Sequence, residues 1–251
     1  MSESRSSQSQ FKETLVNGCA GMGITLPPGA LERFSRYDAM LRDENQRQNL
    51  TRDLDTPDYI QRLYLDSLMP LTLGLSGCGA VDVGTGAGFP GVPLAIARPD
   101  ITFTLLDSLE KRCAFLRRVV RELDLSADVT HSRTEDFGRV RQNRGAYDIA
   151  FSRAVAPLAV LMEMTIPLLK LGGLMIAHKG PAVVDEYPAA RKAAATLGAR
   201  LRNPILAGVP GTESRHVLVV ADVIQRCPSI YPRKAGVPGR NPLGSLSTHQ
   251  R

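Results

Sequence analysis

With 251 residues, 43% of them hydrophobic and 22% charged, the chain is long enough to bury a full core, and it suits one α/β domain plus an appendage better than two equal domains. The net charge of +6, much of it from arginine, points to a polyanionic partner, although a mild excess is also common on solvated surfaces. No run of about eighteen apolar residues is present to span a membrane. The serine-rich start lacks the apolar centre of a signal peptide, and Cys19, Cys78, Cys113 and Cys227 form no C-x-x-C pair, so neither a zinc site nor a disulfide framework is expected and the cytoplasm is the expected compartment.

Taken in chain order, residues 1–12 are expected to be a disordered tail. From Pro28, the apolar residues Leu31, Phe34, Met40 and Leu41 fall near helical spacing, with Glu32, Arg33, Arg36 and Arg42 opposite. The polar run 44–51 ends that helix. Thr56 as cap, Pro57 at the first position and Asp58 in the first turn announce another, whose buried stripe is Ile60, Leu63, Tyr64 and Leu68. Residues 13–72 therefore read as an all-helical cap on a sheet domain spanning 73–226.

That domain alternates strands and helices. Strands are expected over residues 81–83, 101–106, 129–131, 147–151, 174–177, 200–206 and 216–223. Helices are expected from Val92, over 109–123, over 157–169 with Gly172-Gly173 as its stop, and around 185–197. A Pro-Gly turn at Pro210 and Gly211 makes the last two strands antiparallel, because a parallel crossover needs a dozen residues or more. The fold class is thus α/β, a Rossmann-like seven-stranded sheet whose last strand is antiparallel. That is the sheet of the class I S-adenosylmethionine-dependent methyltransferases, whereas a dinucleotide dehydrogenase ends all-parallel. The basic, Pro- and Gly-rich tail over 227–251 cannot build a core and is expected to be mobile, either solubilising or in contact with RNA.

The chemistry gathers where the first strand ends, at Asp82-Val83-Gly84-Thr85-Gly86-Ala87-Gly88-Phe89-Pro90-Gly91. Glycines at alternate positions let the backbone turn sharply and approach a ligand that a Cβ would exclude. In the dinucleotide fingerprint G-x-G-x-x-G the third glycine would stand at Phe89; here it comes one residue early, at Gly88. A pyrophosphate wants helix N–H groups, whereas S-adenosylmethionine carries a cationic sulfonium and an amino group. Asp-x-Gly-x-Gly-x-Gly is similar to the first methyltransferase motif, which places Asp82, Gly84, Gly86 and Gly88 at the cofactor. Ligands in open α/β sheets bind beyond the carboxyl ends of the strands. Asp107, about twenty residues past the glycines, suits both ribose hydroxyls or, alternatively, a helix cap. Thr134 and Glu135 follow the third strand, Ser152-Arg153-Ala154 the fourth, and His178-Lys179-Gly180 the fifth. An arginine in such a crevice is costly to bury unpaired.

Two absences narrow the reaction. The segment after the fourth strand reads Ser-Arg-Ala-Val, not the Asn/Asp-Pro-Pro-aromatic device of enzymes that methylate exocyclic amines. No Pro-Cys nucleophile of the pyrimidine C5 type occurs either. A ring nitrogen with a free lone pair needs neither.

Over roughly residues 30–242 the chain resembles the 16S ribosomal RNA guanine-N7 methyltransferases, the RsmG family, also called glucose-inhibited division protein B. The resemblance rests on several segments in order: Asn49-Leu50-Thr51, Asp66-Ser67-Leu68, the glycine turn with its Phe89-Pro90-Gly91-Val92-Pro93-Leu94 continuation, and Leu105-Leu106-Asp107-Ser108-Leu109-Glu110-Lys111-Arg112. It continues through Phe115-Leu116, Ser132-Arg133-Thr134-Glu135, Ser152-Arg153-Ala154, Lys179-Gly180 and the Tyr231-Pro232-Arg233-Lys234-Ala235-Gly236 tail. It implies donor contacts at Gly84, Phe89, Thr134, Glu135 and Arg153, a small-subunit ribosomal RNA substrate near the decoding centre, a monomer, and no metal. Relatives carry Trp-Asn before Asn-Leu-Thr and Arg-His before Asp-Ser-Leu; here Glu44-Asn45 and Arg62-Leu63 stand in those places, departures that bear on RNA contacts in the cap and not on the cofactor site.

Guanine N7 carries a lone pair and no proton, so methyl transfer to it needs no general base, and no catalytic residue is expected beyond those that align the reactants. Arg62, Lys111, Arg112, Arg133 and Lys179 are expected to grip RNA phosphates, while Arg117, Arg118 and Arg121 read as a solvated helix face. Two other classes stay open on the residues: an NAD-dependent oxidoreductase, disfavoured by Phe89 and the antiparallel end, and a catalytically silent RNA-binding or ribosome-assembly protein on the same fold.

Overall fold

The computed structural model describes residues 2–209 and 215–245. The chain opens with α1 (Ser2–Gly21) and α2 (Ala30–Gln48), followed by a π-helical run Ile60–Leu65 that continues into α3 (Asp66–Leu68). Residues 2–12, expected to be disordered, belong to α1. Phe11, Leu15 and Cys19 recur every four residues and are all buried, and the Phe11 ring meets Tyr64 edge-on at 5.1 Å. That spacing is a helical stripe legible in the sequence. The helix expected from Thr56 begins later, at Ile60, and its stripe Ile60, Leu63, Tyr64 and Leu68 is buried as expected. In α2 the buried face includes Tyr37 and two charged residues, Asp38 and Glu44. Glu44 does not end the helix; it accepts from Arg118 Nη2 at 2.8 Å.

The sheet domain then runs β1 (Gly79–Val83), α4 (Gly91–Ala97), β2 (Thr102–Asp107), α5 (Glu110–Leu123), β3 (Ala127–His131), α6 (Thr134–Arg139), β4 (Tyr147–Arg153), α7 (Leu158–Thr165), β5 (Leu169–Lys179), α8 (Tyr187–Leu197), β6 (Ala199–Leu201), β7 (Ile205–Gly208) and β8 (Arg215–Val223). Strand order is β3-β2-β1-β4-β5-β8-β6, with β7 also on β8. Strands β1 to β5 pair in parallel, while β8 runs antiparallel to β5, β6 and β7. The expected strand over 200–206 is broken into β6 and β7 by Pro204, which has no N–H for the ladder. The Pro210-Gly211 turn lies outside the described residues.

The helix expected to run to residue 169 is shorter. It gives way after Thr165 to a single turn with Pro167, and β5 passes through both glycines that were read as the helix stop. The β4–β5 register shifts between Tyr147 and Ile149, and a Cβ on Gly173 would lie 2.9 Å from the Lys170 carbonyl oxygen and 3.0 Å from that of Asp148. The glycines serve the irregular first part of β5, not a helix end.

Alternation along β1 divides the core. Val81 and Val83 pack with α7 and α8, while Ala80 faces α4, α5 and the N-terminal helices. The helical cap therefore shares one hydrophobic core with the sheet, through Phe34, Tyr37, Leu41 and Tyr64 on its side and Val92, Phe103 and Leu116 on the other. Tyr37 Oη donates to the carbonyl of Ala87 at 2.7 Å, so the cap grips the glycine turn directly.

The tail is not free. Residues 228–245 lie along the sheet domain and include α9 (Val237–Arg240). The carboxylate of Glu163 is fully buried in α7 and accepts from Arg233 three times, from its backbone N–H at 2.9 Å and its Nε at 2.8 Å on one oxygen, and from its Nη2 at 2.5 Å on the other. A carboxylate in that position needs a cation and hydrogen bonds to be tolerated. Arg144 adds donors to the tail carbonyls of Tyr231 and Pro228. Composition alone missed this, because the partner is supplied by a helix seventy residues away. Arg233→Ala strands the Glu163 charge and is expected to destabilise the protein by about 3–5 kcal/mol. Urea denaturation measures it, and a loss below about 1 kcal/mol would mean the tail is not held by this pair.

Candidate active site

The site starts where β1 stops. The N–H groups of Gly84 and Thr85 both donate to the carbonyl of Leu106, at 2.8 and 3.1 Å, which ties the turn to β2. Asp82 is completely buried, and its Oδ2 accepts from the N–H of Gly91 at 2.8 Å, fixing the start of α4. The glycines serve different ends. All three have positive φ (70°, 61° and 113° at Gly84, Gly86 and Gly88). A Cβ on Gly84 would strike Val155 at 2.6 Å and one on Gly88 would strike the Tyr37 hydroxyl at 2.6 Å, whereas one on Gly86 would meet nothing nearer than the Gly84 carbonyl oxygen at 3.9 Å. Gly88 is required by packing against the cap. At Gly86 the space beside the backbone is open.

Asp107, 4% exposed at the end of β2, has both oxygens engaged. Oδ2 accepts from the N–H of Gly86 and Oδ1 from that of Leu109, each at 2.9 Å. The second bond is a local turn onto the residue that precedes α5, and neither Asp107 nor Ser108 gives the helix itself a side-chain cap, the alternative weighed for Asp107. A carboxylate offers about four lone-pair sites, so two remain.

Around this turn lies a cavity of about 380 Å³, lined by Gly84 and Asp107, by Thr134 and Glu135 at the start of α6, by Ala154, and by Gly236 from the tail. Arg112 and Arg133 stand on its wall. Arg112 Nη1 is 3.6 Å from Asp107 Oδ2, and Arg133 Nη2 is 3.9 Å from Glu135 Oε1. Glu135 Oε1 accepts from the N–H of Gly236 at 2.9 Å, while its Oε2 is buried without a partner among the described residues. An unsatisfied buried carboxylate oxygen in a cavity wall suits a ligand that brings donors or positive charge. S-adenosylmethionine brings both, with an amino group, ribose hydroxyls and a sulfonium.

Other expected site residues lie elsewhere. Asp82 and Gly88 support the turn from behind. Phe89 is buried between Tyr37 and Tyr64, at ring separations of 5.5 and 5.4 Å, with the Arg153 guanidinium 5.7 Å above it. Arg153 is not on the first cavity. It lines a second one of about 220 Å³, together with Arg62, Asp66, His178, Lys179 and His216. Ala154 lines both and adopts φ 55°, a conformation that non-glycine residues rarely hold outside constrained sites. Asp66 anchors the second cavity. Its Oδ2 lies 3.3 Å from Arg153 Nη1, its Oδ1 bonds to His216 Nδ1, and its backbone carbonyl accepts from His178 Nε2 at 2.9 Å. Burial tends to raise the Asp66 carboxyl, but His178, the His216 hydrogen bond and Arg153 outweigh it and hold the group below the usual carboxylate range.

Of the residues expected to grip RNA, Lys111 is exposed, and Arg62 lies 3.5 Å from Asp53. Lys179 does not fit the expectation of a free phosphate contact. Its Nζ donates to the Ala156 carbonyl and to both oxygens of Glu186, at 2.9–3.0 Å, with its side chain only 13% exposed. Asp66, His216 and Gly236 were missed as site residues. Asp66 sits in a quoted motif, but nothing in the local sequence shows that residues 66, 178 and 216 meet.

A family model described as rRNA small subunit methyltransferase G matches residues 30–215. The ribosomal RNA small subunit methyltransferase G of Carboxydothermus hydrogenoformans is 43% identical over 226 residues, covering 89% of this chain and 96% of that one. Its namesake in Alkaliphilus oremlandii is 41% identical over 238 residues, covering 93% and 99%. Among solved structures, the branched-chain polyamine synthase from Thermus thermophilus superposes with a TM-score of 0.59 at 14% identity over 84% of this chain and 69% of that one. A SAM-dependent methyltransferase from Aquifex aeolicus gives 0.51 at 17% identity, over 74% and 98%. At those identities the two structures show a shared fold alone.

Burial pushes the Asp82 carboxyl up to about 7, against the lowering effects of the Thr85 hydroxyl and the Gly91 N–H. A carboxyl raised above its unfolded value stabilises the fold when protonated. That contribution is complete below the unfolded value of about 4 and is lost as pH rises through the folded value. Asp82→Asn keeps an oxygen for the Gly91 N–H and removes the titration. Its stability should therefore change less between pH 4 and 7 than that of the wild type when both are unfolded chemically across that range; parallel profiles would refute the raised value.

Proposed function

The chain belongs to the rRNA small subunit methyltransferase G family, and on that premise we propose that it transfers a methyl group from S-adenosylmethionine to N7 of a guanine in 16S ribosomal RNA. The observation that carries the reading is the convergence of Gly84, Asp107, Thr134 and Glu135, from three separate strand ends, on one cavity. Membership in a methyltransferase family sets aside the oxidoreductase reading.

In this reading Asp107 and Glu135 hold the donor, the first through its remaining lone pairs at the ribose and the second through its unpartnered Oε2. The open backbone at Gly86 admits it. S-adenosylmethionine, when bound, supplies an electrophilic methyl group on a sulfonium. The protein's task at the acceptor is positional. N7 has a free lone pair, so no side chain has to remove a proton, and rate comes from holding N7 in line with the methyl group, an effect of about 7–11 kcal/mol in well-oriented systems. The methylated base is cationic. Arg112 and Arg133 sit beside Asp107 and Glu135, so the carboxylates that face the donor also balance the cations around it. N7 is buried in the narrow groove of A-form helices, so a loop or splayed nucleotide is the substrate form.

Incubating the protein and labelled S-adenosylmethionine with small ribosomal subunits, then digesting the 16S RNA to nucleosides, should yield 7-methylguanosine; label in any other nucleoside would overturn the reading. Gly86→Val should abolish donor binding in calorimetry while a cooperative unfolding transition remains, and wild-type affinity would move the donor away from the turn. Exposed Lys111 is assigned to phosphate. Lys111→Ala should lower the slope of log affinity against log salt by about 0.7 for a single-stranded contact, with donor affinity unchanged. A preserved slope would remove Lys111 from the RNA interface.

A further inference from the structure

The second cavity is built around a histidine whose hydrogen-bonding state the fold dictates. His178 is 5% exposed on β5, and its Nε2 lies 2.9 Å from the backbone carbonyl of Asp66. A carbonyl oxygen only accepts, so Nε2 carries the hydrogen, and in the neutral ring Nδ1 is a bare acceptor. Burial disfavours the charged imidazolium and lowers the His178 pKa below its ordinary value, against the pull of Asp66. Nδ1 is buried and has no hydrogen-bond partner among the described residues. Several donors around it are engaged elsewhere. Arg153 Nη1 is directed at Asp66, the Leu63 carbonyl and Ser67. Lys179 is held by Ala156 and Glu186, and His216 by Asp66. An acceptor left unsatisfied at such a depth is costly unless a ligand supplies the donor.

Resting on the methyl-transfer reading above, we propose that this cavity receives the target guanine, with His178 Nδ1 accepting a hydrogen bond from the N–H groups of its Watson–Crick edge. Guanine presents N1–H and the N2 amino group there, whereas adenine offers no N–H at N1 or C2. N7 lies on the other side of the purine. A base held by its Watson–Crick edge at β5 turns N7 back across Ala154, the residue common to both cavities, toward the methyl group. His178 then selects the base and sets its orientation in one contact, and the Asp66 cluster holds His178 in the accepting tautomer.

The test pairs two variants with a spectroscopic readout. His178→Gln retains an N–H for the Asp66 carbonyl and loses the acceptor at the Nδ1 position, while His178→Asn places an oxygen near that position. With small ribosomal subunits as substrate, His178→Gln should lower kcat/KM by about tenfold or more, with donor affinity and melting temperature close to wild type, and His178→Asn should recover part of the loss. In wild-type protein loaded with S-adenosylhomocysteine and labelled with ¹⁵N-histidine, guanosine monophosphate should shift the His178 Nδ1 resonance and adenosine monophosphate should not. Unchanged kcat/KM in His178→Gln, or equal responses to the two nucleotides, overturns the assignment. If the wild type forms no 7-methylguanosine, the underlying reading has failed; if it does and His178→Gln matches it, the inference alone has failed.

Discussion

One carboxylate holds the site together. Asp107 receives the N–H of Gly86 on one oxygen and that of Leu109 on the other, so the loop after β1 and the loop after β2 are joined through a single buried side chain. The turn after β1 also has backbone bonds of its own, from the Gly88 and Phe89 N–H groups to the Thr85 carbonyl at 2.8 and 3.0 Å. The glycines have positive φ, which makes the turn accessible but not obligatory, and the N-terminal N–H groups of α5 lack a side-chain cap of their own. The charge also needs these bonds, since a carboxylate 4% exposed would otherwise be expensive to bury. Arg112, 3.6 Å away, adds a cation at the rim.

The rest of the cavity is walled by segments remote in sequence. The cap closes the back of the glycine turn, where Tyr37 bonds to Ala87 and packs on Phe89. The tail closes the front, where Gly236 donates to Glu135 across 101 residues of chain. The helical cap and the tail are therefore parts of the cavity's architecture, and the Arg233–Glu163 pair has a positional consequence beyond stability. It keeps Gly236 within reach of α6.

Charge is distributed with the same economy. Arg112, Arg133, Arg153 and Lys179 each stand beside a carboxylate, namely Asp107, Glu135, Asp66 and Glu186. A basic protein thus presents a nearly balanced field where a cationic donor and a cationic product base would lie, and the surplus charge is left to exposed positions such as Lys111. Attraction to a polyanion and tolerance of a sulfonium are compatible because they occupy different places.

The sequence by itself determined the strand–turn–helix of the glycine motif, the parallel sheet with its antiparallel end, and four residues that line the first cavity, Gly84, Asp107, Thr134 and Glu135. These are local properties: period-two apolar runs, glycines at alternate positions, and polar residues just past strand ends. Phe11, Leu15 and Cys19 were equally local, and their helical spacing was legible although the polar composition around them pointed to disorder. Only the tertiary structure decided that the tail docks, that Lys179 is spent on Glu186, and that Arg153 belongs to a second cavity with Asp66, His178 and His216. Each of those outcomes depends on a partner tens of residues away, brought close by the order in which strands pair. Spacing along a chain carries no record of that order. A lysine or histidine reads the same in sequence whether its neighbour in space is water, phosphate or a buried carboxylate.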